Sequence, residues 1–131
     1  MPKYYLDTSA LVKLIRTEAG SSQMRAVWDD PDNIFLTNIL GKVEFLRAVG
    51  TDGPRATIRA RTALTSMDLM AVDDSTAEVA AGLDPAVMRA LDALHVASAM
   101  TLGPSLDAII TYDARMADAA RLAGIKVLAP G

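Results

Sequence analysis

The chain has no cysteine and a single histidine, His95. The first absence removes disulfides and thiolate metal sites, and the second removes any multi-histidine zinc site, so a metal bound here is held by oxygen. No run approaches the roughly 18 uncharged apolar residues of a membrane-spanning helix. The opening MPKYYLDTSALVKL carries a lysine and then an aspartate inside what would be its apolar region, which fits neither a secretory signal nor a transit peptide. A cytoplasmic protein is expected. An excess of basic charge is also missing: the net charge is -3 and the pI is near 5.0. That is unusual for a partner of nucleic acid, because phosphate binding draws on Lys and Arg. The net value, however, averages acidic residues at positions suited to a metal with arginines clustered elsewhere, and by itself it excludes little.

What is present is ordinary for one compact domain. The 131 residues are 51% hydrophobic and 22% charged, enough to bury one full core, and no repeat, linker or low-complexity tract divides them. A single domain over residues 1–131 is expected. Lys3 to Leu6 favours a strand ending at Asp7, and helical patterns follow from Ser9 to Arg16 and, after Gly20, from Ser21 to Trp28. Asp30-Pro31-Asp32-Asn33 is turn chemistry before a strand at Ile34–Thr37 and a helix at Leu40–Val49. Pro54 opens another helix to about Ser66, Leu69–Val72 suits a short strand, and Ser75 with Glu78 is spaced as a capping box for a brief helix ending at Ala81. Asp84-Pro85 reads as the start of a long helix to Leu102, stopped by Gly103-Pro104. A strand at Ala108–Thr111, a helix at Asp113–Ala123 closed by Gly124, and a strand at Ile125–Leu128 complete the pattern. Strands alternating with helices predict a mainly parallel sheet covered on both faces.

In open parallel sheets ligands collect beyond the carboxyl ends of strands, where Asp7 and Asp113 fall. Each has a plain alternative as the N-cap of the helix that follows it. Asp92 is harder to explain that way. Within the expected long helix its neighbours at i−4, i+4 and i+7 are Met88, Val96 and Ala99, so it lies in an apolar stripe with His95 as the one cationic partner at i+3 or i+4. A carboxylate so placed is costly unless paired or bound to a metal; the alternatives are an Asp92–His95 pair or a solvent-facing position. Glu44 is intermediate, since Arg47 at i+3 offers an ordinary surface ion pair. Gathered together, four carboxylates would repel unless a divalent cation compensated them. Oxygen ligation suits Mg²⁺, with Mn²⁺ as a substitute, and these ions suit phosphodiester hydrolysis by activating water and neutralising charge on the phosphorane.

Asp7-Thr8-Ser9-Ala10-Leu11, Val43-Glu44-Phe45-Leu46-Arg47, the stretch LDALHVASA from Leu91 to Ala99, and Thr111-Tyr112-Asp113 resemble, in order, the motifs of the PIN-domain family. The match runs from Lys3 to nearly Val127, and LDALHVASA is its most specific part. The resemblance implies a three-layer α/β/α sandwich that cuts RNA with Mg²⁺ or Mn²⁺. It assigns metal coordination to Asp7 and Asp92 foremost, with Glu44 and Asp113 completing the catalytic set and Ser9 and Thr111 as supporting hydroxyls. One departure is Gly41, where the family more often has Ser or Thr before the glutamate, which makes Glu44 the least secure of the four. The small size resembles VapC-type toxins, which implies a homodimer and an antitoxin partner whose tail enters the acidic groove.

Arg55 and Arg59, one turn apart, and Arg115, just after Asp113, are candidate RNA contacts, with a solvated surface as the alternative. Leu14, Met24, Val27 and Trp28 are either core or an apolar patch for an antitoxin helix, core being the better reading. His95, lone on an apolar helix, is expected to be a satisfied core residue. Among other functions, a haloacid-dehalogenase-like phosphatase needs a second aspartate where this chain has Ser9, and a receiver module needs a late-strand lysine where Ala114 and Arg115 follow Asp113. The remaining alternative is a catalytically silent module of the same fold that binds RNA or protein.

Overall fold

Successive residues of a strand point to opposite faces of its sheet, and here the two faces meet two different apolar layers. Leu6, Phe35 and Ile110 join one core cluster, whereas their chain neighbours Tyr5, Leu36 and Ile109 join the other. The computed structural model, which describes all 131 residues, builds these from strands β1 (Lys3–Leu6), β2 (Ile34–Asn38), β3 (Asp68–Met70), β4 (Ala108–Ile110) and β5 (Val127–Leu128). Every pairing is parallel, in the order β3-β2-β1-β4-β5. The sheet is thus wholly rather than mainly parallel.

Helices α1 (Thr8–Lys13), α2 (Ser21–Asp29), α3 (Ile39–Gly50) and α4 (Pro54–Thr65) supply the first layer. Its core holds Leu11, Leu14, Met24, Phe45 and Leu64, and Trp28 stacks on Phe35 with ring centroids 4.8 Å apart. Leu14 and Met24 are therefore core, with Val27 and Trp28 packed against it. Helices α5 (Asp74–Ala81), α6 (Ala90–Thr101) and α7 (Ala114–Leu122) form the other layer, where Val96, Ala99, Met116 and Ala120 pack under the sheet. No helix is long and apolar enough to cross a membrane.

Two helix starts differ from the sequence reading. The helix expected from Pro85 begins at Ala90: the Met88 N–H bonds to Pro85 O at 2.9 Å as a turn, and Arg89, at ψ 147°, is extended. Asp84 therefore caps nothing. Helix α5 is capped by Asp73, whose carboxylate accepts from Thr76 N at 2.9 Å, rather than by Ser75 with Glu78. In both cases the motif fits its local sequence, but a neighbouring residue fixes the entry of the chain.

The strand order has a consequence for function. The chain leaves β1 for β2 on one side and later fills β4 and β5 on the other, so the topological switch point lies between β1 and β4. Ligands in such sheets collect outside the carboxyl ends of the strands at that point. Asp7 directly follows β1, and Thr111 to Asp113 directly follow β4.

Candidate active site

Asp7 is 3% exposed, at the end of the innermost strand. Its Oδ1 accepts from Ala10 N at 3.1 Å, capping α1, and from Ser9 Oγ at 2.7 Å. Its Oδ2 accepts from Thr111 Oγ1 at 2.6 Å. Each hydroxyl is itself held by a backbone donor: Tyr112 N donates to Ser9 Oγ at 2.8 Å, and Asp113 N to Thr111 Oγ1 at 3.1 Å. The two hydroxyls expected to support the site thus sew the end of β4 to the carboxylate of β1. No side-chain cation pairs with Asp7. Burial pushes its carboxyl above the usual carboxylate range, and the bonds from Thr111, Ser9 and Ala10 offset only part of this.

Asp92 lies in the first turn of α6, not mid-helix, because that helix starts later than its sequence suggests. It is half-buried. There the helix N-terminus favours a carboxylate, yet burial raises its pKa, and the negative charge of Asp113 raises it further, with Glu44 acting in the same sense. The pair with His95 does not form. Asp113 caps α7, accepting from Arg115 N at 2.9 Å and Met116 N at 3.4 Å. Capping and membership of the acidic edge are compatible, since each lone pair of a carboxylate is a separate acceptor.

Glu44 projects from α3 and does not pair with Arg47. Its Oε1 lies 2.7 Å from His95 Nε2. That bond is the main cause holding the Glu44 carboxyl below its ordinary pKa. His95 was read from the sequence as a satisfied core residue. It is buried, but one of its partners belongs to the acidic edge, and the available signal was its i+3 spacing from Asp92.

The arginines divide. Arg59 donates to the carbonyls of Leu14 and Ile15, both at 3.2 Å, and so serves the C-terminal end of α1. Arg55 and Arg115 are exposed, and neither side chain is in an ion pair. Near α2 and α4 a groove of about 380 Å³ is lined by Leu14, Ile15, Arg25, Trp28 and Arg59 among others. It holds none of Asp7, Glu44, Asp92 and Asp113.

A model of the PIN domain matches residues 4–122. The chain belongs to the PIN-domain family. Among PIN-domain relatives, Ribonuclease VapC46 of Mycobacterium tuberculosis (strain ATCC 25618 / H37Rv) is 39% identical over 130 residues, covering 99% of each chain. Ribonuclease VapC35 of Mycobacterium tuberculosis (strain CDC 1551 / Oshkosh) is 37% identical, covering 97% of this chain and 96% of its own. The PIN fold is matched in solved structures: Mycobacterium tuberculosis VapC20, described as a sarcin-ricin loop cleaving toxin, superposes with a TM-score of 0.77 at 18% identity, covering 97% of this chain and 99% of its own. A toxin–antitoxin complex from Klebsiella pneumoniae superposes with a TM-score of 0.72 at 19% identity, covering 98% of both chains.

PIN-domain ribonucleases use a divalent metal, and the residues here fit one by the chemistry of their donors. Asp7 and Asp113 directly follow the neighbouring strands β1 and β4, the charge of Asp113 is felt by Asp92, and none of the three is in an ion pair. Thr8 Oγ1, next to Asp7, is buried without a hydrogen-bond partner. No three acidic or histidine side chains converge into a ready-made cage. A divalent cation that keeps several of its waters needs only one or two carboxylates.

Proposed function

We propose that this chain is a Mg²⁺-dependent endoribonuclease, the toxin component of a toxin–antitoxin pair, acting in the cytoplasm. The observation that carries the proposal is Asp7: a carboxylate buried at the switch point, hydrogen-bonded on both oxygens with a lone pair of Oδ2 still open, yet disfavoured in its charged form and without a cation. A fold that builds such a group with two dedicated hydroxyls gains little stability from it, so a role in binding a cation explains it better than a cap alone.

In this reading Asp7 and Asp92 hold the ion, with Asp113 and Glu44 completing the set. A bound Mg²⁺ supplies an activated water and neutralises charge on the phosphate. Ser9 and Thr111 fix the Asp7 carboxylate in one orientation by donating to opposite oxygens. Glu44, held through Oε1 by His95 with the Thr8 hydroxyl beside it, would orient water for in-line attack. Arg115 and Arg55, both unpaired, are the candidate contacts to RNA phosphates; Arg59 is the weaker one, since its guanidinium already binds α1. The names of the relatives support RNA as substrate, and the toxin–antitoxin complex among the structural neighbours supports an antitoxin partner; a homodimer is a further proposal that rests on the family resemblance.

The test is cleavage of a mixed RNA pool with Mg²⁺, with EDTA, and with Asp92→Asn, in protein purified free of any bound partner. Cutting that needs metal and falls by more than about 100-fold in the variant is expected, because removing a ligand exceeds the roughly 10–100-fold cost of removing a residue that only supports one. No cutting by wild type, with identical melts with and without Mg²⁺, would favour the silent binding module instead.

A further inference from the structure

His95 is 1% exposed, and both of its ring nitrogens have partners on other elements. Nδ1 lies 2.6 Å from Tyr5 Oη, on β1, and Nε2 lies 2.7 Å from Glu44 Oε1, on α3. Glu44 as a carboxylate can only accept, so the ring nitrogen that faces it carries a proton. A phenol proton directed at Nδ1 leaves the imidazole proton on Nε2, facing the carboxylate. The chain of bonds therefore has one direction: phenol to ring, ring to Glu44.

We infer that Tyr5 and His95 are positioning residues, which lock the Glu44 carboxylate in one orientation at the acidic edge. The inference rests on the ribonuclease reading and deepens it by naming what sets one member of its site. Glu44 is half-exposed and on its own would exchange among rotamers, losing the fixed placement that catalysis needs. Arg47 does not hold it. The ring does, and the ring is itself immobile. Its helix is tied to the start of α3 by Asn38, whose Nδ2 donates to Ser98 Oγ at 3.1 Å while its Oδ1 accepts from Gly41 N at 2.8 Å.

Gly41 supplies a second line of support. A Cβ at this position would lie 3.2 Å from His95 Cε1, the ring atom between the two nitrogens, and would also collide with Thr37 Oγ1. Thr37 Oγ1 first, and the His95 ring beside it, occupy the room that a side chain at 41 would take. Glycine at a place where the PIN resemblance leads one to expect a hydroxyl is thus matched to the imidazole that reaches Glu44. The departure in sequence and the contact in structure are one arrangement.

The experiment titrates Mn²⁺ into metal-free protein and measures single-turnover cleavage of the RNA pool for wild type, His95→Leu, His95→Asn, His95→Gln and Tyr5→Phe. Losing the support of a ligand is expected to cost roughly 10–100-fold in metal affinity or cleavage. His95→Leu and His95→Asn should show that loss, and Tyr5→Phe a smaller one. His95→Gln, whose amide N–H falls near the place of Nε2, should recover most of it. RNA binding in EDTA should be unchanged throughout. In a Glu44→Gln background His95→Leu should cost nothing more, because the two residues act as one unit. If His95→Leu does not fold, the contrast between Gln and Asn decides, since the shorter amide cannot reach Glu44. Equal activity of those two variants, or a His95→Leu loss that adds to that of Glu44→Gln, overturns the inference while leaving an active nuclease. A wild type that neither binds Mn²⁺ nor cuts removes the ribonuclease reading, and this inference with it.

Discussion

Asp7 and Glu44 face the same edge of the sheet, yet their charges are held by opposite means. Asp7 is buried among hydroxyls and an N–H, with no cation, and burial outweighs its hydrogen bonds, so its carboxyl is pushed up. Glu44 is half-exposed and hydrogen-bonded to an imidazole, and its carboxyl is pulled down. The difference separates two kinds of acidic residue at one site. The Glu44 charge is stable before any ion arrives. The Asp7 charge is a cost to the metal-free fold that an arriving cation relieves, and the same holds more weakly for Asp92, where neighbouring charges add to burial.

The sharpest way to break this comparison is to neutralise each residue in turn. Asp7→Asn and Glu44→Gln should both reduce cleavage by more than about 100-fold, as losses of residues that meet the ion or its water. Their metal-free melts should move in opposite directions. The folded-state pKa of Asp7 is raised, so the ionised side chain costs stability once the pH rises past its unfolded value near 3.8. Asn removes that cost, and the melting temperature in EDTA at pH 7.5 should hold or rise by a few degrees, a gain that fades as the pH falls towards 4. The folded-state pKa of Glu44 is lowered from 4.5, so its ionised form adds stability above that value, lost as the pH falls through the lower folded one. Glu44→Gln should therefore melt lower at pH 7.5 and match wild type in acid. Calorimetry at both pH values in EDTA checks this, and two shifts of the same sign would dissolve the distinction.

A smaller effect is expected from the hydroxyls that hold Asp7. Thr111→Val removes the donor to Oδ2 and the acceptor of Asp113 N. Leaving a buried charged acceptor short of one bond costs about 1–3 kcal/mol, and cleavage should fall roughly 10–100-fold. The variant raises the Asp7 pKa further, so its stability deficit should be largest at pH 7.5 and shrink as Asp7 takes up its proton. Urea titrations at the two pH values measure it; a deficit independent of pH would mean that Thr111 acts through packing alone.

These contrasts mark what the sequence made legible. Asp7 and Asp113 were readable because a strand run ending in Asp before a helical pattern is a local signal, and both are caps as well as members of the edge. The parallel sheet followed from the same alternation of strands and helices. Asp92 was found on a partly mistaken argument. Asp84-Pro85 looks like a helix start, but the turn at Pro85–Met88 and the extended Arg89 delay the helix to Ala90, which moves Asp92 from an apolar stripe to a first turn. His95 is the buried, satisfied residue its apolar helix suggested, but its partners were not legible, because Tyr5 and Glu44 lie 90 and 51 residues away in sequence. No periodicity within one helix reports which strand residue lies beneath it.

The smallest predicted effect concerns Gly41, and it asks whether the Glu44 half can be disturbed without touching any group that carries chemistry. Nothing in the backbone there demands glycine, since no positive φ is found at 41 and the helix would gain from alanine by roughly 0.8–1 kcal/mol of propensity. The obstacle is space alone: the added methyl meets the His95 ring and the Thr37 hydroxyl. Overpacking of this kind costs about 1–3 kcal/mol, so Gly41→Ala should melt slightly lower than wild type or equal to it once the propensity gain is counted. Its cleavage should nevertheless drop several-fold, because displacing the ring by a few tenths of an ångström turns its N–H away from Glu44, while the Asp7 half is untouched. Relief should come from Gly41→Ala combined with Thr37→Ala, which removes the hydroxyl that the added methyl would meet. A Gly41→Ala variant with full cleavage and unaltered stability would mean that the ring has slack, and that the glycine at 41 is an accident of sequence rather than a fitted part of the site.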